Sequence, residues 1–479
     1  MAGWHNGLFY LRDYHDNYRL HVNGRASIDG YTYFGRGVAD AGLRPTLLLR
    51  RIRPEVSGEF FQDWSFWIAG ELGATALDNP NGTTETSAAA PGVTPTATTG
   101  RYAGAQTARL TARPDDVYIT YRASRLLNAQ LGQFDAPFTL ENRTGQKYLP
   151  WMERALAVRV VGIPTDQEIG LMLRGETDEG HWYYSVAAFN GDGPNRPNAD
   201  SHLDYMARTF VHPFASRPDL VKDLQFGASA RYGTRGRSVN YDYPSMTTQG
   251  NYAFWLPTYV DSGGSTIHIL PNGRQLGVAA EVRIPWSIFT LTSELVEIKN
   301  GTREAIEGQQ ATSALRSGEL EGHAYYVQLE AWPVGARDIT GRPGYENAAH
   351  VDFSKPDPVT PPHALHLLLK WEQMALRYAS ASRRGSPDPA NADGSIKVNV
   401  VSVGANYWRT KFLRLSINYV LNDFPDSAPR SPTTADGVQQ TARQRAVAPG
   451  NTLSLGVNDG ARDRAHVLHE LLFRASIGF

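Results

Sequence analysis

The chain closes on V-L-H-E-L-L-F-R-A-S-I-G-F, Val467–Phe479. Counting back by twos from Phe479 gives Ile477, Ala475, Phe473, Leu471, His469 and Val467. The alternate set is Gly478, Ser476, Arg474, Leu472, Glu470 and Leu468. The first face is mostly apolar and carries two Phe, while the second carries an arginine and a glutamate. Successive side chains of a strand point to opposite faces, so this period of two is a strand between two unlike environments.

The same period recurs along the chain. Leu20, Val22, Gly24, Ala26 and Ile28 alternate with Arg19, His21, Asn23, Arg25 and Ser27. Leu413, Leu415, Ile417, Tyr419 and Leu421 oppose Arg414, Ser416 and Asn418. Helical periodicity is scarce. Sixteen strands are expected, at 18–29, 46–57, 63–73, 115–123, 127–135, 168–175, 181–190, 204–212, 223–234, 275–284, 287–298, 322–333, 364–380, 397–408, 411–421 and 466–479. Most reach the ~9–11 residues that cross a bilayer when tilted.

Their connections alternate in length. Gly58–Gln62, Ser124–Leu126, Glu176–Gly180, Pro213–Lys222, Pro285–Trp286 and Arg409–Thr410 are short. Tyr31–Pro45, Ala74–Pro114, Ala136–Gln167, Gly191–Leu203, Gly236–Arg274, Gly301–Glu321, Ala381–Ile396 and Asn422–Ala465 are long. Val334–His363 is the exception, long where the rhythm asks for a turn. One tight end and one loop-rich end is the asymmetry of outer-membrane barrels, which also end on an alternating strand with a terminal aromatic. The expected fold is therefore all-β, a 16-stranded antiparallel transmembrane barrel. Residues 18–479 form the barrel, and residues 1–17 form an N-terminal periplasmic segment. The 74–114 loop, with its Thr/Ala/Pro-rich core Thr83–Ala108, is expected to be mobile.

Composition agrees. The 479 residues match a single barrel of this size as well as several ordinary domains. The 23 Tyr and 10 Trp suit interfacial girdles; Trp64, Trp182, Tyr232, Trp332 and Trp408 are expected as interface anchors. No run of ~18 apolar residues is present. With no Cys, disulfide scaffolds, Cys metal sites and thiol nucleophiles are excluded. A net charge of −1 offers no nucleic-acid footprint. The chain is polar directly after Met1, which fits either a cytosolic protein or a mature N-terminus; the strands favour the second.

If the apolar faces meet lipid, the alternate residues line a lumen. Inward cations are then Arg19, Arg25, Arg51, Arg53, Arg122, Arg174, Arg208, Arg231, Arg283, Lys370, Arg414 and Arg474. Inward acids are Glu55, Glu71, Glu281, Glu294, Glu330 and Glu470. This two-to-one excess of cations points to an anion-leaning pore; the competing reading is cross-strand pairing that cancels the charge. Segment 136–167 is too apolar for a solvated loop, since Phe138, Leu140, Leu149, Trp151 and Met152 need cover. Folding into the barrel supplies that cover. It makes this segment the constriction loop, with Phe138, Glu141, Arg143, Lys147, Glu153 and Arg154 as its site residues, and Arg143, Lys147 and Arg154 at the narrowest point.

Several segments resemble one family. They are Gly3–Asp13 (G-W-H-N-G-L-F-Y-L-R-D), Tyr18–Gly30, Leu48–Gly58 (L-L-R-R-I-R-P-E-V-S-G), Phe60–Trp67, Leu131–Phe138 (L-G-Q-F-D-A-P-F), Trp151–Leu156 (W-M-E-R-A-L), Glu168–Gly175 and the terminal Phe. In order and spacing they resemble the phosphate-selective porin O/P family of bacterial outer-membrane porins. Residue by residue, Arg50, Arg51, the G-Q-F-x-x-P-F group and Glu153–Arg154 carry the match. The resemblance implies a homotrimer of 16-stranded barrels, an infolded third long loop and an anion-preferring pore. The family's phosphate channels use lysine clusters; here 40 Arg stand against 7 Lys, which puts phosphate specificity in doubt.

No G-x-S-x-G, H-E-x-x-H or Walker motif occurs, so no enzyme is expected. His363 and His366, and His466 and His469, fall on opposite strand faces and cannot share a metal; no metal site is expected. Asp192, Asn198, Asp200 and Asp204 offer oxygen ligands for a loop Ca²⁺ without EF-hand spacing, so the expectation is no cofactor, or at most that ion. The expected function is passive diffusion of small hydrophilic solutes, leaning to anions such as phosphate, in the bacterial outer membrane. The expected partners are outer-membrane lipid and lipopolysaccharide, with no nucleic acid. The alternative is a structural or interaction barrel whose long loops bind other surface components and whose lumen is restricted.

Overall fold

A computed structural model describes residues 1–5, 8–35, 45–73, 112–162, 166–217, 220–255, 257–260, 266–310, 316–335, 337, 343–345, 363–380, 394–424 and 467–478. Phe479, His466, the Thr83–Ala108 stretch and most of Asn422–Ala465 lie outside the described residues.

Sixteen strands close a barrel. They are β1 (Tyr18–Phe34), β2 (Thr46–Phe60), β3 (Trp64–Glu71), β4 (Arg113–Ser124), β5 (Leu127–Asp135), β6 (Gln167–Glu176), β7 (Trp182–Phe189) and β8 (Asp204–Val211), followed by β9 (Gln225–Arg235), β10 (Thr266–Trp286), β11 (Phe289–Ile306), β12 (Arg316–Val334), β13 (Ala364–Ser380), β14 (Gly394–Thr410), β15 (Leu413–Asp423) and β16 (Val467–Gly478). Each pairs antiparallel with the next, and β16 returns to β1 with Phe473 opposite Gly30 and Ile477 opposite Ala26. Closure leaves no bare sheet edge, the condition for β-structure in a bilayer. At this seam the Phe473 ring lies over Gly30, where a Cβ would come within 1.9 Å of ring carbon; the ring covers the backbone that glycine leaves bare.

β1 extends below the end of β16, and a hairpin of Ala2–His5 and Leu8–Arg12 occupies that leftover edge, pairing Phe9 with Val22 and Arg12 with Arg19. Strands β10 to β14 are the tall side of the wall. The expected loop Gly301–Glu321 is largely strand there, because β11 runs on to Ile306 and β12 starts at Arg316. Asn300, Thr302 and Glu304 face a filled interior, so polar residues that read as loop carry a buried face instead.

The alternation sorts as expected. Ile28, Leu131, Leu171, Val278, Leu369, Val403, Leu415, Ile417, Phe473 and Ile477 are exposed on the outer wall, and Asp29, Gln130, Met172, Ala279, Lys370, Ser402, Ser416 and Arg474 are buried inside. Trp64, Trp182 and Tyr232 lie on the outer face. Trp332 and Trp408 do not. Both are buried in the interior; Trp332 stacks on His366 at 3.8 Å and Trp408 lies under the Arg414 guanidinium. Their positions near strand ends suggested girdle residues, but strand parity sends them inward.

Candidate functional site

The interior is filled from both ends. Segment 136–162 folds into the barrel and crosses it. Gly132, at φ +138°, starts the entry: a Cβ there would sit 2.2 Å from the Val117 carbonyl oxygen, so only glycine lets β5 turn inward. Gln133, Phe134 and Asp135 then all become covered. Beyond them the wall holds the loop strand by strand. The Thr139 N–H donates to Ser229 Oγ at 3.0 Å. The Leu140 and Glu141 N–H groups donate to the Glu294 carboxylate, which also accepts from Tyr326 O–H at 2.9 Å. Trp151 Nε1–H donates to Gln328 at 2.5 Å, and the Leu156 N–H donates to Glu372 at 2.6 Å. Arg414 and Arg474 donate to the Leu149 and Met152 carbonyls at 2.7 and 2.8 Å.

A second insertion was not foreseen. From Val239 to Trp255 the fifth long connection also enters the barrel, with Tyr243, Met246, Tyr252, Phe254 and Trp255 buried. Thr248 Oγ1 and the Gly250 N–H donate to Glu470, Tyr33 O–H donates to the Gly250 carbonyl, and Arg159 of the other inserted loop donates to Thr247 Oγ1 at 2.7 Å. The signal lay in the sequence: Tyr241, Tyr243, Met246, Tyr252, Phe254 and Trp255 need cover as much as the 136–167 aromatics do.

Within the exceptional Val334–His363 connection, residues 343–345 lie against the interior near the short-turn end. Arg208 donates to the Gly344 carbonyl at 2.8 Å, and the Gly344 N–H donates to Thr144 Oγ1 at 2.8 Å. The Tyr345 ring sits edge-on to Tyr183 and Phe210.

The inward arginines divide into two sets. Most are paired. Arg474 grips Asp29 with two bonds of 2.7 and 2.6 Å, and Arg208 grips Glu281 with two of 2.9 and 2.7 Å. Arg53 bridges Glu71 and Asp115, Arg51 reaches Glu71 at 3.7 Å, Arg25 reaches Glu55 at 3.9 Å, and Lys370 meets Glu372 at 2.7 Å. Such forked, desolvated pairs hold geometry and leave little net field. The expected two-to-one excess of cations is corrected here, because Asp29, Asp115, Asp204, Glu304 and Glu372 also point inward and are buried. Arg122 and Arg19 sit at the short-turn rim on Glu59, and Arg122 is exposed rather than within the lumen.

Arg174, Arg231 and Arg283 form the other set. No carboxylate pairs with them among the described residues; Arg231 has only Asn300 at 3.4 Å and the Phe138 ring. Among the described residues Arg414 likewise has carbonyl and indole contacts and no carboxylate partner. Each inward acid read from the sequence is engaged: Glu330 accepts from His366 and Gln328, and Glu55, Glu71, Glu281, Glu294 and Glu470 as described.

A bulge between Ser27 and Ile28 on the β1–β2 ladder turns both Arg50 and Arg51 inward. Arg50 meets the loop's Glu153 at 3.2 Å, with Arg474 at 3.5 Å from the same carboxylate. Burial would push the Glu153 carboxyl up, but Arg50, Arg51 and Arg474 overcome it and hold it at about 2. Arg143 donates to the Asp135 carbonyl, and Arg154 pairs with Asp135 and Asp166 at 3.5 and 2.6 Å. Both are turned back into their own loop rather than presented to the lumen. Lys147, half-buried in the turn Gln146–Tyr148, lies over the Tyr148 ring.

Beneath the inserted loop a small cavity of about 30 Å³ is lined by Thr144, Tyr148, Arg283, Gln328, Trp332 and His366. The Ca²⁺ ligand candidates are held by this chain's own donors. Asp192 accepts from Tyr241 O–H and the Ala199 N–H, Asp200 from the His202 and Gly236 N–H groups, and Asp204 from Arg235; Asn198 Oδ1 accepts from the Asp200 N–H.

A closed barrel with an apolar belt, a charged interior and loops folded into its bore defines an outer-membrane channel protein. Residues 22–244 match the family described as phosphate-selective porin O and P, so the resemblance carried by the sequence segments is shown. No curated protein matches the chain. Among solved structures the chain is similar to the outer-membrane expressed OmpT of Vibrio cholerae (9% identity, 98% of this chain and 100% of that one, TM-score 0.49). It is also similar to the outer membrane channel DcaP of Acinetobacter baumannii (12%, 98% and 99%, 0.46) and to an anion-selective porin from Comamonas acidovorans (10%, 96% and 100%, 0.44). The protein resides in the bacterial outer membrane, and the family match over residues 22–244 points to a channel rather than an enzyme.

Proposed function

We propose that the chain is a passive diffusion channel for small hydrophilic solutes with a preference for anions such as phosphate. One observation carries the anion preference: the inward acids are engaged by the chain's own donors, whereas Arg174, Arg231 and Arg283 lack carboxylate partners among the described residues. Uncompensated guanidinium groups along a bore lower the barrier for anions, and arginine keeps its charge at any working pH. In this reading residues 1–17 lie at the periplasmic end, outer-membrane lipid and lipopolysaccharide surround the belt, and three copies assemble. The particle mass in detergent tests the assembly.

The reversal potential of planar bilayers under a KCl gradient tests the preference. Chloride is expected to be favoured, and changing Arg174, Arg231 and Arg283 together to Ala is expected to cut the chloride-to-potassium permeability ratio several-fold. A potassium preference in the unaltered protein sinks the reading. The alternative, an interaction barrel with a restricted lumen, is favoured by the two infolded loops and the Gly344 segment; folded protein without conductance would establish it.

A further inference from the structure

The outer wall of β12 to β15 carries a polar row on the face that meets lipid. Tyr325, Gln373, Asn399 and Asp423 stand opposite one another on four successive strands. They are joined side chain to side chain: Tyr325 O–H donates to Gln373 Oε1 at 2.9 Å, Gln373 Nε2 to Asn399 Oδ1 at 3.1 Å, and Asn399 Nδ2 to Asp423 Oδ2 at 3.4 Å. The next row below is Val327, Trp371, Val401 and Leu421, and the outer face stays apolar down to Leu413. Leu413 to Leu421, tilted, is roughly 20 Å of height, close to the apolar band of such barrels. Trp371 and Tyr325 meet edge to face at 5.3 Å, an aromatic pair at the border. Hydrocarbon therefore gives way to headgroups at this row, on the loop-rich external side.

Just above it two cations point outward on adjacent strands. Lys397 stands opposite Ala375 and Arg377 opposite Ser395, so the two are diagonal neighbours, roughly 7–8 Å apart. Both are exposed. Among the described residues Arg377 has no ion pair: Glu321, opposite it, is held by Lys299 at 3.0 Å.

We propose that Arg377 and Lys397 bind the phosphate of an anionic glycolipid headgroup in the external leaflet, with the Tyr325–Asp423 row beneath it receiving the sugar hydroxyls. The inference rests on the outer-membrane location and is independent of what the bore conducts. A forked guanidinium beside an ammonium suits a phosphate monoester, and basic side chains at this height act on anionic lipid.

The test is native mass spectrometry of the full folded chain in detergent, titrated with bis-phosphorylated lipid A or its dephosphorylated form. The phosphorylated lipid is expected to stay bound, and R377A/K397A to weaken it about tenfold or more, with channel conductance unchanged. R409A, which removes an exposed cation at the opposite end of the same wall, serves as the control for non-specific attraction. Equal binding of dephosphorylated lipid, an equal loss in R409A, or unaltered binding by the double variant would each overturn the proposal. So would competition by millimolar inorganic phosphate, which marks a free-phosphate site, or a drop in particle mass in the double variant, which marks a contact between copies. Heat-modified gel mobility establishes that each variant is folded.

Discussion

At the scale of the residue, the inward carboxylates hold loops. Glu294 accepts the Leu140 and Glu141 N–H groups and the Tyr326 hydroxyl inside the bore. Removing a buried acceptor strands its donors, at about 1–3 kcal/mol per unsatisfied group. Glu294→Ala is therefore expected to release the tip of the 136–162 loop while the barrel stays closed, measured as faster proteolysis within that loop. Glu153 makes a pH prediction. Its carboxyl is held at about 2 against an ordinary 4.5, so the folded form binds its proton less readily than the free chain. Its contribution is fully present above about 4.5 and is lost as pH falls toward 2. Loop anchoring by Arg50 and Arg474 is expected to persist at pH 5 and to weaken between pH 4 and 2, read as a change in conductance noise; Glu153→Gln should remove that acid-dependent step. The sequence located Glu153 and Arg154 within a loop that needs cover. It did not reveal that Arg154 turns back onto Asp135 and Asp166, because that partner choice depends on how the loop folds across the bore.

At the scale of the element, strands and insertions obey different rules. A strand between lipid and lumen writes its faces into a two-residue alternation, so all sixteen were legible, and the parity of Arg414, Arg474 and Lys370 came with them. An inserted loop has no period. Its only local signature is apolar residues without cover, strong enough in Phe138, Leu140, Trp151 and Met152 to mark the third loop. The same signature in Tyr243, Met246, Tyr252 and Phe254 marks the fifth. Because this fifth insertion occupies the bore through Glu470, Tyr33 and Arg159, deletion of residues 240–255 is expected to raise single-channel conductance about twofold, since the pore-narrowing element is gone. Unchanged conductance would mean that the current bypasses it.

At the scale of the whole molecule, closure and two-sidedness decide stability. Val403 is exposed on the belt while its neighbour Ser402 is buried inside. Val403→Arg is expected to cost about 2–4 kcal/mol, as charge on the lipid face does near the midplane, in urea titrations of the protein folded into vesicles. Losing β16 should prevent closure altogether, because β1 would keep a bare edge at Asp29 and Gly30 in hydrocarbon.

The final stretch marks where local information stops. By itself Val467–Gly478 determined a strand, its lipid face and its lumen face, because alternation is a property of neighbours in the chain. The same reasoning gave sixteen strands, a loop-rich end and a third loop needing shelter. Only the tertiary structure decided that Arg474 is bound to Asp29 and the Met152 carbonyl, that a bulge turns Arg50 and Arg51 to one side, and that a second loop enters the bore. It also decided that Arg174, Arg231 and Arg283 are left without acids among the described residues. Whether an inward charge is cancelled depends on groups hundreds of residues away, brought within ion-pair distance only when the barrel closes.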